Sequence, residues 1–139
     1  MTSGSNRQQV LDYLEAVRRG DHARVRAAFA PDATWDTTPS MPWPAHFEGR
    51  DSIIDDYFAV DTGLFTTGVS SYDLEILHVI ESGPHVVVEM RHRAEMLSGK
   101  RYETDHCLVF ELEEGLITAV REYIDSLYLD RQQAATQPD

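Results

Sequence analysis

Cysteine is almost absent from this sequence. Its single cysteine, Cys107, can form neither an intramolecular disulfide nor a thiolate metal cluster, which favours a reducing compartment and predicts a cytoplasmic protein. Long apolar runs are absent too, since no stretch approaches the roughly 20 residues of a membrane-spanning helix. The N-terminal segment lacks the apolar core of a signal peptide. We therefore expect no membrane insertion and no export.

Cationic side chains are scarce. The chain has 12 Lys and Arg against 24 Asp and Glu, a formal charge of −12. Nucleic acids and anionic membranes are bound by clustered cations, so the sequence predicts neither partner. It also has no phosphate-binding glycine loop and no HExxH motif. His85 and His92 fall on opposite faces of a strand and cannot chelate one ion. No cofactor and no metal are expected.

The chain is nevertheless large and apolar enough to fold. Its 139 residues are 42% hydrophobic, which is typical of one globular domain with its own core. The expected single domain spans 1–139. Its ordered core is predicted at about 7–129, with polar tails at 1–6 and 130–139.

The N-terminal half has helical periodicity. Apolar residues at i, i+3, i+4 and i+7 predict a first helix that ends near Gly20. A second helix is expected over 22–29, and a third begins at a cap on Asp51 or Ser52. Between these two, 33–37 predicts a short strand. Three prolines within six residues then predict a long, stiff loop.

The C-terminal half alternates between apolar and polar residues, as antiparallel strands do. The first of these strands is expected to begin at Val69, with one buried face formed by Tyr72, Leu74, Ile76, His78 and Ile80. The last segment, 116–129, is apolar on both parities and is expected to be a strand covered on both faces. Three helices followed by an antiparallel meander predict an α+β domain.

Two histidines fall on the apolar parity of neighbouring strands. A three-residue turn at 98–100 places His92 directly opposite His106. A two-residue turn would instead place Arg93 opposite His106 and bring charges into the core, so we prefer the first register. A histidine pair can hold or relay a proton near neutral pH. The alternative is that both are core histidines bonded to tyrosine hydroxyls.

Four local segments carry a family resemblance: YLEAVRRGD, FAPDATW, FEGRDSI and GLITAVREYID. On the basis of these four segments, the sequence resembles the nuclear transport factor 2-like superfamily over residues 8 to about 129. The similarity is to the SnoaL-like branch, which includes ketosteroid isomerase and limonene epoxide hydrolase. It implies a cone in which a curved, mostly antiparallel sheet wraps around an N-terminal layer of three helices. It also implies a deep pocket for a small apolar metabolite and, commonly, a homodimer.

The resemblance aligns Glu122 with a catalytic aspartate of limonene epoxide hydrolase. Val120, Glu122 and Ile124 then face inward. An apolar pocket disfavours the charged form of a carboxyl group, which suits general acid or base chemistry. The alternative is a salt bridge from Glu122 to Arg91 or Arg121.

Other positions match the relatives only in part. Met90 and His92 stand near the arginine and second aspartate of the hydrolase, so its arginine-bridged acid pair is missing. Tyr13 matches the oxyanion-holding tyrosine of ketosteroid isomerase, although it could equally be a core tyrosine. The isomerase's base aspartate aligns with Thr37, and its second oxyanion acid aligns with His106.

Aromatic residues are expected around the pocket. Trp35 and Thr37 share one parity and should supply a wall and a hydroxyl, with pure packing as the alternative for Trp35. Trp43, His46 and Phe47 could form a lid, or the loop could be a plain connector. The side chains expected to contact a ligand are Trp35, Thr37, Tyr57, Phe58, Met90, Thr104, Leu108, Val120 and Ile124.

These observations favour a cofactor-independent enzyme of isomerase, cyclase or dehydratase type that acts on a small, apolar, carbonyl-bearing metabolite. His106 and His92 would move the proton, Glu122 would be the partner acid or base, and Tyr13 would hold the oxyanion. One alternative is a noncatalytic dimeric protein that binds a hydrophobic ligand. Another is an epoxide hydrolase with a rearranged acid pair. Fold alone does not decide among them.

Overall fold

The computed structural model describes residues 5–66 and 73–134, apart from the side chains of residues 61 and 62. The outer parts of both predicted tails, 1–4 and 135–139, lie outside these residues. Within them, helices pack on one face of a curved six-stranded sheet. Fully buried side chains such as Val10, Phe29 and Val120 form the core between the two layers.

The first helices follow their sequence signals closely. Helix α1 (Asn6–Arg19) begins after Ser5, whose hydroxyl accepts from the Gln8 amide. It ends at Gly20, where a φ of +67° lets the cap amide reach carbonyls of the last turn. Helix α2 (His22–Ala27) is capped by the Asp21 side chain, which accepts from the Arg24 amide. It is two residues shorter than predicted, because Phe29 already begins the first strand.

The third helix is bent rather than regular. It consists of α3 (Arg50–Ser52), a π-helical turn (Ile53–Tyr57) and α4 (Phe58–Thr62). The expected cap on Asp51 or Ser52 is wrong, since Gly49 occupies the cap position with a φ of +93°. The Gly49 amide donates to the Ala33 carbonyl, so the chain turns into the helix directly at the edge of the sheet.

The sheet contains β1 (Phe29–Asp36), β2 (His46–Glu48), β3 (Asp73–Ser82), β4 (His85–Glu95), β5 (Arg101–Glu113) and β6 (Leu116–Tyr123). Its strand order is β2-β1-β6-β5-β4-β3. All neighbours are antiparallel except β1 and β6, which are parallel. Strand β2 lies at the sheet edge within the predicted loop, where nearby prolines interrupt no central ladder.

The buried face of β3 differs from the prediction, and the predicted start of the strand, from Val69 to Tyr72, lies outside the described residues. Its pairing with β4 shifts between Ile76 and His78, so one extra residue enters the strand. Beyond that shift Leu77 and Val79 are the half-buried residues. Ile76 and Ile80 are 38% and 61% exposed, and His78 is exposed on the surface. The alternation of apolar and polar residues does not reveal such a bulge. The extra residue moves the side chains that follow it to the opposite face of the sheet.

The hairpin between β4 and β5 also differs in register. Met90, not His92, is the direct partner of His106, and His92 is opposite Thr104. The predicted direct opposition of the two histidines is therefore wrong. The chain turns one residue earlier than expected, where the Met96 amide donates to the Lys100 carbonyl at 2.9 Å. This shift moves the pairing by two residues, so both histidines keep the same face and become diagonal neighbours.

The predicted last strand ends early and continues as a helix. Strand β6 stops at Tyr123, and α5 (Ser126–Gln133) follows under an Asp125 cap that accepts from the Tyr128 amide. Apolar residues on both parities thus reflect a strand followed by an amphipathic helix, not a strand covered on both faces. Helix α5 extends into the predicted tail. No helix among the described residues is long and apolar enough to cross a membrane.

The packing of α5 can be tested with two leucines of the same helix. Leu129 is 4% exposed, whereas Leu127 is 58% exposed. We expect Leu129→Ala to lower the free energy of unfolding by about 2–4 kcal/mol, because it removes buried methyl groups and leaves a cavity. Leu127→Ala should change it by less than about 0.5 kcal/mol. Urea denaturation checks both values, and equal losses would contradict the described docking.

Candidate active site

A cavity lies between the concave face of the sheet and the helices. The space within it, including open solvent at its mouth, has a volume of about 850 Å³. Most of its wall is apolar or aromatic, and its polar side chains include Thr37, His106 and Glu122. The described lining residues are Tyr13, Leu14, Val17, Trp35, Thr37, Trp43, Phe47, Tyr57, Phe58, Val60, Leu64, Phe65, Leu74, Met90, His92, Tyr102, His106, Leu108, Glu122, Ile124 and Leu129.

Two side chains expected to contact a ligand do not reach the cavity. Thr104 is absent from the described lining because Tyr102 and His106, on either side of it, contact each other across it. Val120 is fully buried beside its register partners Trp35 and Phe110. The remaining members, which do line the cavity, are Trp35, Thr37, Tyr57, Phe58, Met90, Leu108 and Ile124.

Glu122 is the acidic residue among the described lining residues, and its side chain is 10% exposed. Its Oε1 atom accepts hydrogen bonds from the Tyr57 hydroxyl at 2.5 Å, the Thr37 hydroxyl at 3.1 Å and the Trp35 Nε1 at 3.4 Å. The parallel pairing of β1 with β6 brings Trp35 and Thr37 to it. The π-helical turn ends at Tyr57, so two consecutive residues, Tyr57 and Phe58, both reach the cavity.

The alternative salt bridge of Glu122 is wrong. Arg91 pairs with Asp105 at 2.9 Å, and Arg121 pairs with Glu111 at 2.9 Å. These cations lie on the opposite parity of their strands, which faces away from the cavity. Glu122 is therefore held by three neutral donors.

His106 connects the carboxyl group of Glu122 to a tyrosine. Its Nε2 atom is 2.7 Å from the Tyr102 hydroxyl, and its Nδ1 atom is 3.7 Å from Glu122 Oε2. Burial lowers the pKa of His106, although the negative charges of Glu122 and Asp105 act in the opposite direction. The imidazole is consequently neutral at pH 7, with one donor and one acceptor.

His92 lies deeper among aromatic rings. Its ring centroid is 5.3 Å from those of Phe65 and Tyr102 and 5.2 Å from that of His106. Burial, with a smaller contribution from His106, lowers the pKa of His92 to about 3. The idea that both histidines share a proton near neutral pH therefore finds no support at His92, which is a weak base in this position.

The buried histidines predict a loss of stability in acid. Between pH 6.5 and 3 the unfolded chain binds a proton at His92 that the folded chain rejects, so the free energy of unfolding falls as the pH drops. We expect His92 to account for about 2 kcal/mol of this loss between pH 8 and pH 5. Urea titrations of His92→Gln should show a correspondingly shallower pH dependence. Met90→Leu, on the same strand face, is the control, and an unchanged slope in His92→Gln would contradict the prediction.

The remaining candidates are distributed around the cavity. Tyr13 is buried in its wall, with its ring centroid 5.3 Å from that of Phe29. Trp43 and Phe47 line the cavity, but His46 does not. The alternation of β2 directs His46 outward, where its Nδ1 is 2.7 Å from Asp36 Oδ1, and this hydrogen bond raises the pKa of His46. The three expected lid residues therefore do not act together.

The alternative expectation of a tyrosine partner is confirmed at His106, but the sequence analysis did not identify which tyrosine, and it missed the contact of Tyr57 with Glu122. Tyr102 is 1% exposed and binds His106, and Tyr57 binds Glu122 directly. Tyr102 has the same parity as His106 and lies four residues before it, which is a usable signal. The position of the Tyr57 hydroxyl depends on the π-helical turn, for which the sequence has no recognisable signal.

Comparisons with known proteins agree with this architecture. The family model of the SnoaL-like domain matches residues 10–120. An NTF2-like protein of unknown function from Burkholderia pseudomallei K96243 has a TM-score of 0.83 at 27% identity, over 95% of this chain and 100% of that one. Bal32a, from a soil-derived mobile gene cassette, has a TM-score of 0.76 at 26% identity, over 93% and 96%.

A more distant structure shares the fold alone. An LEH-like epoxide hydrolase from M. tuberculosis has a TM-score of 0.72 at 19% identity, over 92% of this chain and 88% of that one. Other structures that share the fold at 16–20% identity are a hypothetical protein with a ketosteroid isomerase-like fold from Catenulispora acidiphila and a putative SnoaL-like polyketide cyclase from Jannaschia. Because the family model covers most of the chain, and the helices and curved sheet are those of NTF2-like structures, this protein belongs to the SnoaL-like domain family.

Proposed function

We propose that this protein is a cofactor-independent enzyme of isomerase, cyclase or dehydratase type, and that Glu122 exchanges a proton with a small, apolar, carbonyl-bearing substrate. One observation carries this proposal. A carboxyl group lies in an aromatic cavity with Oε1 held by three donors and Oε2 facing a neutral histidine. A carboxyl group held in one orientation is suited to general acid and base catalysis.

The chemistry assigns a separate role to each oxygen. Oε1 is occupied by its donors, so Oε2 is the atom that takes a proton from the carbon beside the substrate carbonyl. The electron pair of that C–H bond moves toward the carbonyl oxygen and gives an enolate. Tyr13 donates to this oxygen, and return of the proton at another carbon gives the isomer. His106, whose Nδ1 faces Oε2, supports this proton transfer. His92 takes no part in it.

Hydrogen exchange at carbon tests the proposal without knowledge of the natural substrate. The protein is incubated in deuterium oxide with a panel of apolar ketones, and deuterium beside each carbonyl is followed by NMR. We expect exchange above the buffer rate for at least one ketone. His106→Phe should keep the fold, seen by circular dichroism, and lose most of this exchange. Exchange that persists undiminished in His106→Phe would contradict the assigned role of His106.

A noncatalytic binding protein is the second candidate. It is favoured by the hydrogen bonds that Glu122 and His106 already make within the protein, to Tyr57 and Thr37 and to Tyr102, respectively. This candidate predicts that panel ketones bind but do not exchange. It also predicts that substitutions at Glu122 lower stability and affinity together. Calorimetric binding and urea denaturation on the same variants separate the two functions.

A further inference from the structure

The neutral His106 ring lies between the Glu122 carboxyl group and the Tyr102 hydroxyl, and these two groups together favour one tautomer. A neutral imidazole has one N–H and one acceptor nitrogen. Nδ1 faces the Glu122 carboxyl group at 3.7 Å, where a proton is attracted and a lone pair is repelled. Nε2 is therefore the acceptor, and it accepts a hydrogen bond from the Tyr102 hydroxyl at 2.7 Å. Tyr102 acts as a positioning residue that makes Nδ1 a donor toward the cavity.

The Glu122 oxygen that faces this nitrogen, Oε2, is a hydrogen-bond acceptor. Its partner Oε1 binds Tyr57, Thr37 and Trp35, whereas Oε2 faces His106. Oε1 thus acts as an acceptor only, and Oε2 is the oxygen that remains to accept from a donor in the cavity. The cavity thus presents one N–H donor beside one oxygen acceptor. At 3.7 Å the pair is too widely spaced for a direct hydrogen bond, but a single oxygen atom can contact both.

We propose that Nδ1 of His106 and Oε2 of Glu122 together recognise a hydroxyl group of an uncharged, apolar ligand. A hydroxyl accepts from Nδ1 and donates to Oε2 through one oxygen atom, which satisfies both groups. This inference rests on the proposed use of the cavity by a small ligand and extends it. Combined with the proposed proton transfer, it identifies the substrate class as apolar hydroxy-carbonyl compounds.

Other polar groups fit this pair less well. A ketone or ether oxygen can accept from His106, but its lone pairs face Oε2 without a proton between them. An anionic group would approach the charge of Glu122, and no Lys or Arg stands among the described lining residues to compensate it. Leaving a buried polar group without its partner costs more than the bond itself contributes, so the pair disfavours such a group between Nδ1 and Oε2, whereas a carbonyl oxygen elsewhere on the ligand can still face Tyr13.

Matched probes test the proposal on the intact protein. Indanol, indanone, methoxyindane and indane carboxylate share one ring system and differ in the polar group. Isothermal titration calorimetry at pH 7 should show indanol binding at least about tenfold more tightly than each of the others. Tyr102→Phe, which keeps the ring and removes the hydroxyl, should reduce this preference. Thr104→Val is the control, because Thr104 lies on the same strand outside the described lining.

The tautomer gives a second readout that no loss of folding can imitate. Nitrogen–proton NMR correlations of the His106 ring should show the proton on Nδ1 in the free protein. In Tyr102→Phe they should show a mixture of tautomers. A proton on Nε2 in the wild type would overturn the proposal, as would equal or tighter binding of indanone.

The outcomes also separate this inference from the proposed enzyme activity. Deuterium exchange at carbon together with equal affinities for alcohol and ketone would overturn hydroxyl recognition and leave the proton transfer standing. Preferential binding of indanol without exchange of any ketone would support hydroxyl recognition and contradict the enzyme. Failure of every uncharged probe to bind would overturn hydroxyl recognition, and the same failure together with no exchange in any ketone would overturn both.

Discussion

Replacing Glu122 by Gln should lower the rate of deuterium exchange into a responsive ketone by about 100- to 10,000-fold. The amide keeps the size of the side chain but cannot take up the proton. It also has an NH₂ group that must face either the donors on Oε1 or the Nδ1 of His106. The exchange rate per mole of folded protein, measured by NMR, is the relevant quantity.

The control for this experiment is Glu111→Gln. Glu111 lies on the neighbouring strand, pairs with Arg121 at 2.9 Å, and faces away from the cavity. It should leave exchange within about twofold of the wild type, because the pair is partly exposed and weakly coupled to the site. An exchange rate in Glu122→Gln that matches this control would exclude Glu122 as the acid or base.

Replacing Phe29 by Ala should lower the free energy of unfolding by about 3–5 kcal/mol, the largest stability effect that we expect. Phe29 is fully buried, and its ring centroid is 5.3 Å from that of Tyr13 and 6.3 Å from that of Trp35. Its ring therefore supports two side chains of the cavity wall. Removing it leaves a void behind them, which the rigid strands cannot close. The midpoint and slope of urea denaturation give the loss.

Two further variants define the size of that effect. Phe29→Leu retains most of the volume and should cost less than about 1.5 kcal/mol. Leu97→Ala removes a side chain that is 60% exposed and should change stability by less than about 0.5 kcal/mol. If Phe29→Ala behaved like Leu97→Ala, the packing described behind the cavity wall would be wrong.

The sequence predicted the elements whose signals are local. The i, i+3, i+4 spacing around Tyr13 gave the buried stripe of α1, and Gly20 marked its end. Alternation placed His92 and His106 on the parity that lines the cavity. Glu122 was placed there by the family resemblance, because the last segment is apolar on both parities and its alternation gives no orientation. These predictions succeeded because the direction of a side chain on a helix or strand follows from its position along that one segment.

Contacts between distant segments could not be read in the same way. The register of β4 with β5, the bulge after Ile76 and the turn from β6 into α5 each depend on packing against the rest of the molecule. A period of two residues does not change when a pairing slides by two, so the sequence could not distinguish His92 opposite His106 from His92 beside it.

The sequence by itself thus determined the α+β class, the family and the parity on which the titratable side chains lie. Only the tertiary structure decided what those side chains bind. Strand β1 brings Trp35 and Thr37 to Glu122, and the π-helical turn brings the Tyr57 hydroxyl to the same oxygen. Hydrogen bonds between segments many residues apart depend on distances of a few ångströms, which are fixed when the whole core packs and not by any local pattern.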